Sequence, residues 1–154
     1  ISKIFYPGFR IGSIIASKAH LDPIRHMQKY TTSSANLPSQ GVIKIAFEQG
    51  HVLRRFREHY KQIEYKRVQL QRYIKEKAFN RFVIPEGGFY IWYRINKYSD
   101  TQLYNLLYNK GVKVTVGNKY FVNKDTNNYI RISYSNAKIK DIIKALEIIN
   151  KIDS

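Results

Sequence analysis

Two hydrophobic periods divide the chain. Up to residue 78 apolar side chains recur mainly at three- and four-residue steps. Beyond it, short β-rich runs alternate with helical segments. Residues 10–16 (RIGSIIA) are a β-rich run with a polar interruption, which predicts a strand. Asp22 and Pro23 read as an N-cap followed by proline at the first helical position, with Ile24, Met27 and Tyr30 along the helix. The polar stretch TTSSAN ends it. Pro38 opens a second helix and Gly50 stops it. A long third helix follows over 51–78, with Leu53, Phe56, Tyr60, Ile63, Leu70 and Ile74 on one row and Arg67 interrupting it. Residues 82–85 and 89–95 read as strands around the turn PEGG. Ser99 to Gln102 forms a capping box for a helix that ends at Gly111. VKVTV and YIRISYS predict two further strands. Asn136 is the expected cap of a last helix carrying Ile139, Ile142, Ile143, Leu146, Ile149 and Ile152.

This order is strand, three helices, two strands, helix, two strands, helix. It predicts an α/β chain whose second half is an α+β sandwich able to bury its own core. Residues 1–50 hold a lone strand with no partner nearby, so they read as the tail of a larger domain. The helix over 51–78 connects it to the small α/β domain, 79–154.

Composition adjusts the picture in three ways. Hydrophobic content of 44% and aromatic content of 14% fit a folded protein rather than a disordered one. A balance of 27 Lys and Arg against 11 Asp and Glu leaves a net charge of +16, which favours nucleic acid, anionic membrane or phosphate-bearing ligands without choosing among them. The absence of Cys removes disulfides and thiolate metal sites. No apolar run approaches membrane-spanning length, and no signal peptide is visible. A cytoplasmic protein without a membrane partner is therefore expected. The chain opens on Ile1 and its one methionine is Met27, so it reads as a processed, tagged or cut piece of something longer.

Several motifs fail on their physics. GVKVTVGNK has the wrong spacing for a phosphate loop. His20, His26, His51 and His59 share no metal-ligand spacing, and no metal is expected. Ser135 to Lys138 matches S-x-x-K without the motifs that accompany it in penicillin-interacting serine enzymes. The basic third helix carries its aromatics on the apolar row with Leu and Ile, whereas a single-strand binder presents them for base stacking. A basic RNA-binding α/β module is thus the weakest of three functional readings.

The opening stretch, SKIFYPGFRIGSIIAS, carries a more specific signal. It resembles the cofactor-lysine segment of fold-type I pyridoxal-phosphate aminotransferases. It is most similar to the MocR-type group, GntR-family transcription regulators with an aminotransferase-like domain after a winged helix-turn-helix. The group's pattern is roughly S-K-x-x-x-P-G-[LF]-R-[IL]-G, and Ser2, Lys3, Pro7, Gly8, Phe9, Arg10, Ile11 and Gly12 match it. TTSSANLPSQGVIKIAFEQGHVLRRFREHYK, IPEGGFYIWYRI, NKGVKVTVGNKYF and YIRISYS resemble four later segments of the family, in the right order. Val116 departs from the family's proline before Gly117.

The resemblance implies the C-terminal portion of a fold-type I aminotransferase, the small domain plus the tail of the large one. It assigns Lys3 as the catalytic lysine that forms an imine with pyridoxal 5'-phosphate. Arg10 holds the cofactor phosphate, and Arg131 takes the substrate α-carboxylate in a bidentate pair that Lys could not imitate. Closing the small domain would bring Arg131 to the substrate beside Lys3. The main reading is an effector domain that senses an amine or amino acid by imine exchange, in a homodimeric regulator that binds DNA through an N-terminal winged helix. The alternative is part of a free-standing class I/II aminotransferase. Either way, the family's remaining cofactor contacts lie upstream, so these 154 residues alone are expected to be catalytically inactive.

Overall fold

A computed structural model of the chain describes residues 1–3, 5–122 and 128–154. It separates into two compact units, Ile1–Lys61 and Gln62–Ser154.

The first unit is helical. Pro7–Phe9 form a 3-10 turn, with Tyr6 extended before the proline as its ring requires. Residues 10–17 contain no strand, which corrects the expectation for 10–16. A β-rich run becomes a strand only against a partner, and no ladder includes this one among the described residues. Helix α1 (Lys18–Thr31) starts earlier than expected: Ser17 rather than Asp22 is its N-cap, and Pro23 lies inside it. So close to the N-terminus, the proline forfeits a single i→i−4 bond. Helix α2 (Leu37–Glu48) opens as predicted, with Pro38 in its first turn and Asn36 Oδ1 accepting from Ser39 N–H at 2.9 Å. It stops before Gly50, whose φ of +72° is open to glycine at little cost. The buried hydrophobics of this unit are Ile43, Ala46 and Val52.

Helix α3 (His51–Glu76) runs from the first unit into the second. The row predicted along it divides. Ile63, Leu70 and Ile74 enter the core of the second unit, whereas Leu53, Phe56 and Tyr60 remain exposed. Arg67 sits in the row because it is neutralised there. It donates from Nε and from its terminal nitrogen to the two carboxylate oxygens of Glu64, at 2.9 and 2.5 Å.

The second unit is built on a four-stranded antiparallel sheet of order β1-β2-β4-β3. The strands are β1 (Phe82–Val83), β2 (Tyr90–Arg94), β3 (Thr115–Val116) and β4 (Tyr129–Ser133). Register pairs Ile91 with Ile132 and Tyr93 with Ile130, and all four are buried. This face meets α3, α4 (Asp100–Asn109) and α5 (Ile139–Asp153), which supply Ile74, Leu103, Leu107, Ile142, Leu146 and Ile149. Each such side chain contributes about 1.5–3 kcal/mol relative to leaving it in water. The Ser99–Gln102 capping box of α4 forms in both directions. Helix α5 is entered at Lys138, not Asn136, and no side chain caps it. The loop before it is tied from α3 instead: Lys66 Nζ donates to the carbonyls of Ser135 and Ala137 at 2.6 and 2.9 Å.

Three tyrosines make this unit sensitive to alkali. A hydrogen bond to Glu147 pushes Tyr73 up to about 12, from an ordinary value of 10.0. Burial pushes Tyr93 up, reinforced by its bond to Asp153, and burial raises Tyr134 as well. All three hold their protons more tightly folded than unfolded, so unfolding above pH ~10 releases protons. Stability is therefore expected to be intact below that pH and to fall steadily as pH climbs towards about 12. Urea midpoints measured from about pH 8 to about pH 11 check this, and an unchanged midpoint would contradict it. Among the described residues no helix is long and apolar enough to cross a membrane.

Candidate functional site

In the first unit, Lys3 and Arg10 line one cleft of about 350 Å³ together with Ile1, Ser2, Ile11 and Gly12. The 3-10 turn at Pro7–Phe9 reverses the chain, so two cations seven positions apart face a common space. Arg10 adopts φ 54° and ψ 32°, the left-handed region, and its N–H donates to the Pro7 carbonyl at 3.3 Å. This conformation costs an arginine roughly 1 kcal/mol. Phe5 and Phe9 stack at 6.1 Å, and Arg55 lies over the Tyr6 ring at 5.4 Å. Lys3 and Arg10 are both exposed. Among the described residues the lining offers a primary amine, a guanidinium and a serine, and no carboxylate. That set fits a group bearing an aldehyde for the amine and a phosphate for the guanidinium.

In the second unit the sheet's other face is only half-buried and carries aromatic and basic side chains. Tyr90, Trp92 and Arg94 on β2 stand opposite Ser133, Arg131 and Tyr129 on β4, and Thr115 of β3 also pairs with Arg131. Arg131 occupies the middle of this face. Its guanidinium carbon lies 4.0 Å from the centre of the Tyr90 ring and 4.4 Å from that of Tyr120. Its Nε is buried without a hydrogen-bond partner among the described residues. Trp92 braces the assembly, packing edge-on against Tyr120 at 5.7 Å and against Phe121 and Tyr129 at 5.8 and 6.1 Å. A buried donor without an acceptor is costly, which sets Arg131 apart among the described cations.

The tyrosines around Arg131 were not read from the sequence. Strand alternation could have placed Tyr90 on the same face as Arg131, but only with a register that the sequence does not print. Tyr120 lies in a 3-10 turn (Asn118–Tyr120) and carried no signal at all. That turn follows Gly117, whose N–H donates to the Tyr129 carbonyl at 2.8 Å. A Cβ at Gly117 would collide with that same carbonyl, so glycine is required despite the valine before it. Among the described residues no three His, Asp or Glu side chains are grouped to hold a metal.

An α/β chain of helices and a small antiparallel sheet of this kind has the architecture of part of a fold-type I aminotransferase. The model of the family aminotransferase class I and II matches residues 2–149, and the chain belongs to that family. It is 30% identical over 151 residues to YdfD of Bacillus subtilis (strain 168), an uncharacterized HTH-type transcriptional regulator, covering 95% of this chain and 30% of that protein. It is 26% identical over 151 residues to aromatic-amino-acid aminotransferase 1 of Thermococcus litoralis, covering 94% of this chain and 36% of that one. Among solved structures, the Pyrococcus horikoshii kynurenine aminotransferase, in complex with PMP, superposes with a TM-score of 0.83 at 21% identity, over 99% of this chain and 40% of that one. LysN, the α-aminoadipate aminotransferase of Thermus thermophilus, complexed with N-(5'-phosphopyridoxyl)-L-leucine, gives 0.79 at 19%, over 97% and 39%. At such identities the two structures speak for the fold alone. The chain spans about a third of the length of the curated relatives it matches.

Proposed function

We propose that this chain is the C-terminal part of a pyridoxal-phosphate-binding effector domain in a MocR-type transcription regulator. The observation that carries the proposal is that Lys3 and Arg10 line the same cleft. When bound, the cofactor supplies an aldehyde and an electron-withdrawing ring. Lys3 would offer its amine to that aldehyde with release of water, and would regain its free amine when an amino ligand takes its place. Arg10 would hold the phosphate by charge-assisted hydrogen bonds. Arg131 would bind the carboxylate of the amino ligand through the terminal nitrogens of its guanidinium. In this reading residues 1–50 are the tail of the large domain, 51–78 the connecting helix and 79–154 the small domain. The whole protein would be a cytoplasmic homodimer that meets DNA through an N-terminal winged helix. The similarity to an HTH-type regulator along 95% of the chain supports this.

A second reading, a free-standing aminotransferase, is favoured by the similarity to an aromatic-amino-acid aminotransferase. One experiment separates the two. The full-length protein is loaded with pyridoxal phosphate and titrated with a panel of amino acids. Visible absorbance, 2-oxo acid release and affinity for DNA from its own upstream region are followed together. A spectral response without turnover, accompanied by a change in DNA affinity, is expected. Sustained 2-oxo acid release without DNA binding would move the assignment to the enzyme. No cofactor spectrum at all would sink both.

A further inference from the structure

We infer that Tyr90 and Tyr120 make Arg131 selective for flat carboxylates over tetrahedral oxyanions of the same charge. This rests on Arg131 being the anion-binding residue proposed above and goes beyond it, because it assigns a specificity role to the two rings.

A guanidinium recognises anions through five N–H donors that all lie in its own plane. Its faces take aromatic rings. With ring centres at 4.0 and 4.4 Å from one carbon, Arg131 is enclosed by two π surfaces from strand β2 and from the turn after β3. Its remaining direction of approach is the edge. Nε is buried and lacks an acceptor among the described residues, so an incoming anion meets the edge formed by the two terminal nitrogens. A carboxylate is flat and can extend the guanidinium plane with two parallel N–H···O bonds. A sulfonate or phosphonate presents a third oxygen out of that plane, towards the rims of the rings. The rings are held: Trp92, directly across from Arg131 in the β2–β4 ladder, packs edge-on against Tyr120, and Tyr90 belongs to β2 itself. The two tyrosines are positioning residues. Their hydroxyls have no part in this role.

The test compares phenylacetate with phenylmethanesulfonate, two monoanions with the same aryl group and different head geometry. Binding to the full-length protein is measured by calorimetry. Phenylacetate is expected to bind at least about 10-fold tighter, a ratio worth about 1.4 kcal/mol. Arg131→Ala should abolish the preference. Tyr120→Leu and Tyr90→Leu should bring the ratio towards one, while Tyr120→Phe and Tyr90→Phe should keep it, because the ring and not the hydroxyl sets the slot. If Arg131→Ala leaves phenylacetate binding unchanged, the anion role of Arg131 falls and this inference with it. If binding needs Arg131 but the wild-type ratio is near one, or persists in the leucine variants, the selectivity inference alone is overturned. Thermal melts identify a leucine variant that does not fold. The wild-type ratio and the phenylalanine variants then decide.

Discussion

Lys3→Ala in the full-length protein is expected to abolish covalent retention of pyridoxal phosphate after borohydride reduction. Mass spectrometry of the peptide from the chain's first residues reads this directly, without any need for turnover. The effect should be all or none, because among the described lining residues Lys3 alone carries a side-chain amine. Arg10→Ala should behave differently. Covalent attachment persists at saturating cofactor, but affinity falls about 10- to 100-fold, the worth of charge-assisted hydrogen bonds to one phosphate at about 1.5–3 kcal/mol. Arg10 also holds a left-handed backbone, so Arg10→Gly is the informative companion. Glycine relieves the strain and still lacks the guanidinium. An equal loss of affinity in the alanine and glycine variants assigns the effect to the cation. Retention of cofactor in Lys3→Ala at wild-type level would overturn the assignment of the lysine.

Asp153→Ala should unfold the second unit more readily than any surface substitution. Asp153 is fully buried in the last turn of α5. Its Oδ2 accepts from the Tyr93 hydroxyl at 2.9 Å and from Asn96 N–H at 2.6 Å, and its Oδ1 accepts from Lys97 N–H at 2.9 Å. A negative charge at a helix C-terminus opposes the helix dipole, so these three donors must more than offset that cost. Truncation strands all three. At about 1–3 kcal/mol for each orphaned buried group, discounted because two are only partly buried, the loss should be about 3–5 kcal/mol. Tyr93→Phe removes one donor and leaves the carboxylate two, so it should cost only about 0.5–1.5 kcal/mol. Chemical denaturation of the three proteins measures both values. A loss below about 1 kcal/mol for Asp153→Ala would mean that the network contributes nothing net.

Much of the helical half was legible because its signals are local. Pro38 starts α2, Gly50 stops it, and the Ser99–Gln102 box starts α4, each through signals within a few residues, while the Asn36 cap emerged only in the structure. The order of the elements after the first run followed from the change of period. Lys3 and Arg10 were marked by a local pattern around Pro7 and Gly8, and the turn there brings the two cations to one cleft. What failed depended on partners distant in the chain. The run at 10–16 has β-rich residues but joins no ladder among the described residues. Asn136 was a plausible cap, yet Lys66, some seventy positions earlier, organises that loop. Leu53, Phe56 and Tyr60 share a row with Ile63 and Leu70, and only packing tells which of them enters a core. Asp153 reads as an ordinary polar end of a helix until Tyr93 and the backbone after β2 close on it. The slot around Arg131 is likewise tertiary. Periodicity can name a strand, but register decides that Trp92 faces Arg131, and a turn outside any period delivers Tyr120. The sequence by itself determined that the five helices, the four strands of the sheet and the cations are there, though not every boundary. The tertiary structure decided which polar groups are buried and what encloses them, because burial depends on contacts between segments that no local pattern encodes.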